Sequence, residues 1–349
     1  SRGLGDVYKR QEMIHWSEKD GWAHFYRHDI NGNLLNRITS GPFHSDNIKY
    51  YDQKSNFLFF SAHGVNKEID PYYEHTYKIS LNGGVPKLLN NGDFNTMTYP
   101  SDNHKFFVNN FSRVNTTPKS NLINSDGTVI MNLETADLSA LFESGYKFPE
   151  TFKAKADDGI TDLYGVIYKP FDFDENKKYP LLEYVYPGPQ TESVNKSFSV
   201  RMDRLDRMAQ LGFIVITLGN RGGHPDRSKW YHNYGYGNLR DYGLADKKYV
   251  AQQLANRHDF IDINRVGIYG HSGGGFMSTA AILVYPDFFK VAYSQAGNHD
   301  NSIYNSWWSE THHGILEETD DDGNIKYIYD IDKNQSLAKN LKGHLYLVT

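Results

Sequence analysis

The sequence predicts an α/β fold, a largely parallel sheet with helices on both faces, preceded by the last blades of a β-propeller. Three observations predict it. A strand, a tight turn and a helix surround Gly270-His271-Ser272-Gly273-Gly274; apolar strands alternate with amphipathic helices from about residue 141 onward; and aromatic strands between Glu12 and Leu133 are broken by hairpin turns at a near-regular interval.

The hairpin signals are Asn31-Gly32, Asn82-Gly83 and Asp126-Gly127, spaced 51 and 44 residues apart. Asn-Gly and Asp-Gly supply the positive φ angles that two-residue hairpins need. A second echo runs from Ile48-Lys49-Tyr50-Tyr51-Asp52 to Phe57-Leu58-Phe59-Phe60, and again from Met97-Thr98-Tyr99-Pro100-Ser101-Asp102 to Phe106-Phe107-Val108. Several strands per repeat at this interval are the pattern of a propeller blade, with an irregular β-sandwich as the alternative. Two blades and part of a third cannot close a ring, so most of the propeller is expected upstream.

A linker with Gly145 and Pro149 leads to strands expected at Thr151–Ala156, Leu163–Tyr168, Leu181–Tyr186, Phe213–Leu218, Arg265–Tyr269, Lys290–Ser294 and His344–Val348. Helices are expected over Arg201–Leu211 and Asp241–Arg257, the latter with Leu244, Ala251, Leu254 and Ala255 on one face. Near-continuous apolar runs suit strands covered on both sides, and strand–helix alternation suits a parallel sheet. The expected domains are thus 12–140, a partial propeller, and 141–349, a catalytic domain truncated at its end.

Composition narrows the chemistry. A length of 349 residues accommodates two domains. A net charge of -5 with 23% charged residues of mixed sign offers no basic stripe for nucleic acid or an anionic membrane. Cysteine is absent, which removes disulfides, thiolate metal sites and a cysteine nucleophile. The 26 Tyr and 20 Phe favour strands. No apolar run approaches the roughly 20 residues of a membrane span.

Both ends look artificial. Residues 1–11 read as the translation of a transposon adapter used in sequencing libraries, so the native gene is expected to begin near Glu12; a clean genomic read carrying those codons would refute this. The other end stops on the apolar strand at His344–Val348, and an internal fragment is expected.

The G-x-S-x-G turn points to a nucleophile. Flanking glycines permit a strained elbow that lifts the Ser272 hydroxyl above the sheet, at a helix N-terminus whose dipole favours developing negative charge. A Gly-rich turn around a buried serine is the alternative. The partners of such a serine follow it in the order acid, then histidine, with the acid after the strand at His344–Val348. His271, His299, His312, His313 and His344 all precede that point and are expected to be surface or pocket residues. The fragment is then expected to be inert.

Tyr184-Val185-Tyr186-Pro187-Gly188-Pro189-Gln190, Gly219-Asn220-Arg221-Gly222-Gly223 and Gly270-His271-Ser272-Gly273-Gly274, in that order and downstream of propeller blades, resemble the dipeptidyl peptidase IV-like branch of the prolyl oligopeptidase family. The resemblance spans essentially Glu12 to Thr349. It implies an α/β-hydrolase domain that cleaves peptides and a propeller that screens them by size. Ser272 would be the nucleophile, the Tyr186 hydroxyl would sit in the oxyanion hole, and the Gly273 backbone N–H would be the second donor. Peptides are the implied partners, with no cofactor and no metal. The implied location is periplasmic or secreted, and a homodimer of the full-length parent is left open.

The match weakens at specificity. The branch has an aromatic residue just after the serine, where this chain has Gly273. Its later aromatic stretch opens here with Gly297-Asn298-His299-Asp300-Asn301 before Tyr304, Trp307 and Trp308. Tyr304 and Trp308 could wall a substrate pocket or be buried structural aromatics, and both readings stay open. The acidic pair that grips a free substrate amine would lie in propeller upstream. Asp320-Asp321-Asp322-Gly323 invites a calcium reading, but its loop would begin at Glu318 and put Tyr329 where a bidentate Glu belongs, so a solvated acidic loop is expected. His312-His313 are adjacent and cannot share a helix face as zinc ligands. Arg221 is expected to pin its own loop through a carboxylate. Two rivals remain: an esterase or other acyl hydrolase on this fold, and a noncatalytic propeller binding protein.

Overall fold

The computed structural model describes residues 12–90, 92–187, 191–199, 204–328 and 331–349. The adapter-like segment 1–11, the Gly188-Pro189-Gln190 part of the tyrosine motif and Tyr329 lie outside the described residues. The chain divides into two compact units: one runs to Tyr146 and takes in 195–198 and 225–230, and the other holds 147–194, 199–224 and Tyr231–Thr349. No helix among the described residues is long and apolar enough to cross a membrane.

The first unit contains three antiparallel sheets. One is β1 (Glu12–Ser17), β2 (His24–Asp29) and β3 (Leu34–Arg37); the next is β4 (His44–Asp52), β5 (Phe57–His63), β6 (Glu74–Ser80) and β7 (Lys87–Leu88); the last is β8 (Asn95–Pro100), β9 (Phe106–Ser112), β10 (Lys119–Asn124) and β11 (Val129–Thr135). Each of the three turns found in the sequence closes the last hairpin of its own sheet, which is why their spacing reports the blade repeat. The aromatic strand β5 is buried on both faces. Leu58 and Phe60 join a core with Phe25, Ile38 and Ile79, whereas Phe59 joins Leu89, Phe107 and Ile123. Period-two alternation sends consecutive side chains to opposite faces, so one strand packs against both neighbouring sheets. Phe60 meets Phe25 edge-on at 5.7 Å, and Phe59 stacks on Phe107 at 5.5 Å. A short helix α1 (Ser139–Glu143) ends the unit's main run.

His24 is a buried polar group of this unit with both ring nitrogens engaged. Fully buried, it lies 3.1 Å from Thr39 Oγ1 through Nδ1 and 3.0 Å from Gly41 O through Nε2. Thr39 Oγ1 already accepts from Phe25 N and Ser45 Oγ, so its own hydrogen goes to Nδ1 and the ring is held neutral, with its proton on Nε2. Burial accordingly pushes its pKa down from 6.5 to about 4. A depressed folded-state pKa gives stability that is complete above the unfolded value and lost as pH falls toward the folded one. Between pH 6.5 and 4 this group should therefore remove up to about 3 kcal/mol. Urea midpoints at pH 7 and pH 4.5 check this. A fall no larger in the wild type than in His24→Gln would refute it.

The second unit is built on one seven-stranded sheet. Its members are β12 (Glu150–Lys155), β13 (Asp162–Tyr168), β14 (Tyr179–Val185), β15 (Ile214–Leu218), β16 (Ile261–His271), β17 (Phe289–Gln295) and β20 (His344–Val348), in the order β12-β13-β15-β14-β16-β17-β20. From β15 to β20 every pairing is parallel, and β13 meets both of its neighbours antiparallel. Every residue of β15 is buried, Thr217 included, as a near-continuous apolar run covered on both faces should be. The helices are α2 (Arg204–Ala209), the one-turn α3 (Lys229–His232), α4 (Leu244–Arg257), α5 (Gly273–Val284) and α6 (Ser306–His312). Strands β18 (Leu316–Thr319) and β19 (Ile325–Ile328) form a separate hairpin. Its turn is held by Asp320 Oδ1, which accepts from the Asp322 and Asn324 amides.

The core of this unit joins strand residues Leu181, Val185, Ile214, Ile216, Val266 and Ile268 to Val250, Ala251 and Leu254 of α4 and to Met277, Ala280 and Ala281 of α5. The sequence places α4 three residues too early, because the chain still turns at Asp241–Gly243, where Leu244 N bonds Asp241 O at 3.1 Å. Two charges sit in this core unannounced by any motif. Glu183 in β14 and Lys247 in α4 are both buried and 3.8 Å apart, and Lys247 Nζ donates to Leu218 O at 2.5 Å. Burial pushes the Glu183 carboxyl up and the Lys247 amine down.

Candidate active site

Ser272 occupies the single residue between β16 and α5, with φ 56 and ψ -118. Positive φ is costly for any residue with a Cβ, and the surroundings hold it there. Its N–H donates to Gln295 O at 2.8 Å, and its own carbonyl accepts the Phe276 amide at 3.0 Å. The glycines on either side are required by contact. A Cβ on Gly270 would meet Val185 O at 2.3 Å, and one on Gly274 would meet the same oxygen at 2.0 Å. The end of β14 is therefore pressed against the turn at the start of α5. Ser278 Oγ, donating to Gly274 O at 2.7 Å, and Ser294 Oγ, donating to Gly275 O at 2.8 Å, fasten the first turn of α5 on its other side.

The register lines up the carboxyl ends of the parallel strands. Val185 stands opposite Gly270, His271 opposite Gln295, and Gln295 opposite Val348. Tyr186, Ser272 and the Ala296–Gly297 turn thus leave the sheet along one edge, where ligands of open α/β sheets bind. Ala296, with φ 48, is a second strained residue on that edge, and its N–H donates to Val348 O at 2.7 Å. Tyr186 and Ser272 are half-buried, and His271 is exposed. Among the described residues no hydrogen bond engages the Ser272 hydroxyl, and it does not cap α5. Gly273 begins α5, a twelve-residue helix, so its N–H belongs to the unpaired donors of a helix N-terminus.

The loop with Gly219-Asn220-Arg221 is fixed from α4. The Arg221 guanidinium forks onto the buried Asp246 carboxylate, with Nη2 2.7 Å from Oδ1, while Asp246 Oδ2 also accepts the Arg221 amide at 2.9 Å. The expected carboxylate is Asp246. Nothing in the local sequence identifies it, because it lies 25 residues away on the next helix. A further buried acid, Glu192, accepts from the Tyr231 hydroxyl at 2.5 Å.

The aromatic stretch after β17 is uneven. Tyr304 is 57% exposed and meets Trp308 edge-on at 5.8 Å. Trp308, half-buried on α6, packs against Leu239, Tyr242 and Ile331, and the Tyr242 hydroxyl donates to Pro187 O at 3.3 Å, next to Tyr186. His299 is engaged through Nδ1 with Asn334 Nδ2 at 3.1 Å, and the His312 ring lies 4.9 Å from that of Trp308; burial lowers the pKa of both. His344 is exposed at the start of β20.

Known proteins are similar to this chain in sequence and fold. A sequence model described as the prolyl oligopeptidase family matches residues 198–349. Another, described as the dipeptidyl peptidase IV (DPP IV) N-terminal region, matches residues 7–118. Human dipeptidyl peptidase 8 is 36% identical over 176 residues, which is 50% of this chain and 19% of that protein. Dipeptidyl peptidase 4 of Trichophyton equinum is 24% identical over 357 aligned residues, covering 99% of this chain and 44% of its own length. The crystal structure of Porphyromonas gingivalis dipeptidyl peptidase 4 superposes with a TM-score of 0.80 at 25% identity, over 97% of this chain and 46% of that one. The chain thus spans less than half the length of each of these relatives.

Proposed function

Because the chain belongs to the prolyl oligopeptidase family, in its dipeptidyl peptidase IV-like branch, we propose that its parent is a serine peptidase releasing N-terminal dipeptides through an acyl-enzyme on Ser272. The observation that carries this reading is the Ser272 backbone, held at φ 56 between β16 and α5 by two glycines pressed on Val185 O. Residues 12–140 would be propeller blades and 141–349 the catalytic domain.

In this mechanism Ser272 Oγ attacks the carbonyl carbon of the scissile amide as its proton passes to a general base. The carbonyl oxygen becomes an oxyanion, which the Tyr186 hydroxyl and the Gly273 N–H would receive. Collapse breaks the C–N bond, the base returns the proton to the departing amine, and water then hydrolyses the ester on Ser272. The base and its acid partner would follow Ser272 in the order serine, acid, histidine. Tyr304 and Trp308 would line the substrate side of the same edge, with the exposed Tyr304 ring the more available of the two.

The test is hydrolysis of Gly-Pro and Gly-Ala anilides, free and N-blocked, by the full-length parent. Turnover confined to the free-amine substrates is expected, and the Pro-to-Ala ratio reports what Gly273 does to the pocket. Tyr186→Phe should lower kcat about 10²- to 10³-fold with little change in KM, because the hydroxyl acts on the oxyanion and not on the ground state. Faster cleavage of simple esters than of any anilide would move the assignment to an acyl hydrolase. No turnover of either would favour a binding protein.

A further inference from the structure

Away from Ser272, the first unit gathers metal-ligand side chains that no contiguous motif announces. Asp46 on β4, His63 on β5 and Glu74 on β6 bring one donor atom each within 4.8 Å of one another. The strand register explains the convergence: His44 pairs with His63 across β4–β5, and His63 pairs with Glu74 across β5–β6, so one row crosses three strands. Asp46 lies two residues beyond His44, at the start of an irregularity in β4 between Ser45 and Ile48; such bulges re-aim side chains. The segment 225–230 of the same unit adds Asp226, whose carboxylate lies 3.7 Å from His63 Nε2 and 3.9 Å from His44 Nε2.

We propose that Asp46, His63 and Glu74, with Asp226 as a fourth ligand and His44 beside it, form a binding site for a divalent transition metal ion of the zinc class. Three features support it. First, His63 Nδ1 is 3.2 Å from Tyr72 O. A ring that donates its Nδ1 proton to a carbonyl presents the Nε2 lone pair, which is the arrangement of metal-bound imidazoles. Second, Asp46 Oδ2 is steadied by Asn47 Nδ2 and by Ser61 Oγ at 3.4 Å, so an outer shell for the carboxylate already exists. Third, the carboxylates of Glu74 and Asp226 both act on Asp46, so three carboxylates converge on the His63 imidazole. Lys49 Nζ lies 3.0 Å from Glu74 Oε1, and that oxygen is buried without a hydrogen bond among the described residues.

The donor set fits the ion. Imidazole with carboxylates and no thiolate suits zinc and its first-row neighbours more than calcium, which takes oxygen ligands alone. Metal bonds of about 2.1 Å separate tetrahedral donors by about 3.4 Å. The three side chains would close in by little more than an ångström, a movement within reach of rotation about their terminal bonds. The bound ion would cross-link β4, β5 and β6 with the 225–230 segment, a structural role apart from the acyl transfer proposed for Ser272.

The experiment uses the whole chain, stripped with a chelator, dialysed and titrated with ZnCl2 by calorimetry, and with CoCl2 by visible absorption. One zinc per chain should bind with micromolar affinity or tighter, raise the melting temperature, and give a Co2+ spectrum typical of nitrogen and oxygen donors. Asp46→Asn and His63→Gln should each weaken zinc binding at least about 10-fold. His15→Gln, in the neighbouring His15–His28 ring pair, should leave it unchanged. Asp46→Asn preserves the side chain's size, so it decides the matter even where His63→Gln folds poorly. Failure of the wild type to bind zinc or cobalt, or equal binding by the wild type and Asp46→Asn, would overturn the proposal. The cluster would then be an ordinary network of ion pairs.

Discussion

Alanine at Ser272 in the full-length parent is expected to lower kcat/KM on Gly-Pro anilide by about 10⁴-fold or more, since removing a nucleophile abolishes the acyl-enzyme route and leaves only binding and the oxyanion donors. Glycine at the same position should lose as much activity and, unlike alanine, gain stability. Ser272 carries φ 56, a conformation that glycine adopts without steric cost and that strains any residue with a Cβ by roughly 1–3 kcal/mol. Glycine also loses more backbone entropy on folding, about 0.5–1 kcal/mol, so the net gain of Ser272→Gly should be near 1 kcal/mol. Chemical denaturation of the two variants beside the wild type measures it. A variant Ser272→Gly no more stable than Ser272→Ala would mean that the elbow stores no strain. Activity surviving in either variant would remove Ser272 from the nucleophile role. The pairing separates the two functions of one residue, because a structural serine in a turn would show the stability effect without the kinetic one.

The parts legible in the sequence are those in which local chemistry decides structure. Asn31-Gly32, Asn82-Gly83 and Asp126-Gly127 mark the blades because a two-residue turn needs specific residues wherever it occurs. The strand runs mark the parallel sheet because burial on both faces leaves few other residue types. The turn at Ser272 was legible for the same reason, since only glycine fits against Val185 O on both sides of it. Partnerships between distant residues were not legible. Arg221 was expected to find a carboxylate, yet only the packing of α4 beside its loop selects Asp246. Glu183 reads as an oddity in an apolar strand, and its partner Lys247 reads as one more surface lysine of a helix, until both are found buried. Tyr304 and Trp308 could not be told apart by type. The structure leaves Tyr304 exposed and seats Trp308 against Leu239, Tyr242 and Ile331. The Asp46, His63 and Glu74 group escapes motif reading entirely, because its members meet through strand register and not through spacing in the chain.

Two adjacent glycines at the start of α5 should respond differently to the same substitution. A Cβ on Gly273 would come no nearer than 3.3 Å, to Pro187 O, whereas one on Gly274 would lie 2.0 Å from Val185 O and 3.0 Å from Val185 C. Neither carries a positive φ, so alanine is conformationally acceptable at both and in a helix interior is favoured over glycine by about 1 kcal/mol. Gly273→Ala should therefore leave stability within about 1 kcal/mol of the wild type. At Gly274 the obstructing atoms are backbone, in a strand locked between β15 and β16, and rotamer changes cannot relieve the clash. The helix start and the end of β14 must move apart, at a cost of about 3 kcal/mol for overpacking a tight site. Because Val185 precedes Tyr186, the same displacement would shift the proposed oxyanion donor, and errors near 1 Å in such groups cost about 100-fold in rate. Urea denaturation of both variants in this chain, and kcat of both in the parent, test the two halves of the argument. A Gly274→Ala variant as stable as Gly273→Ala would show that β14 and α5 have slack between them. One that is destabilised yet fully active would show that Tyr186 does not depend on that contact for its position.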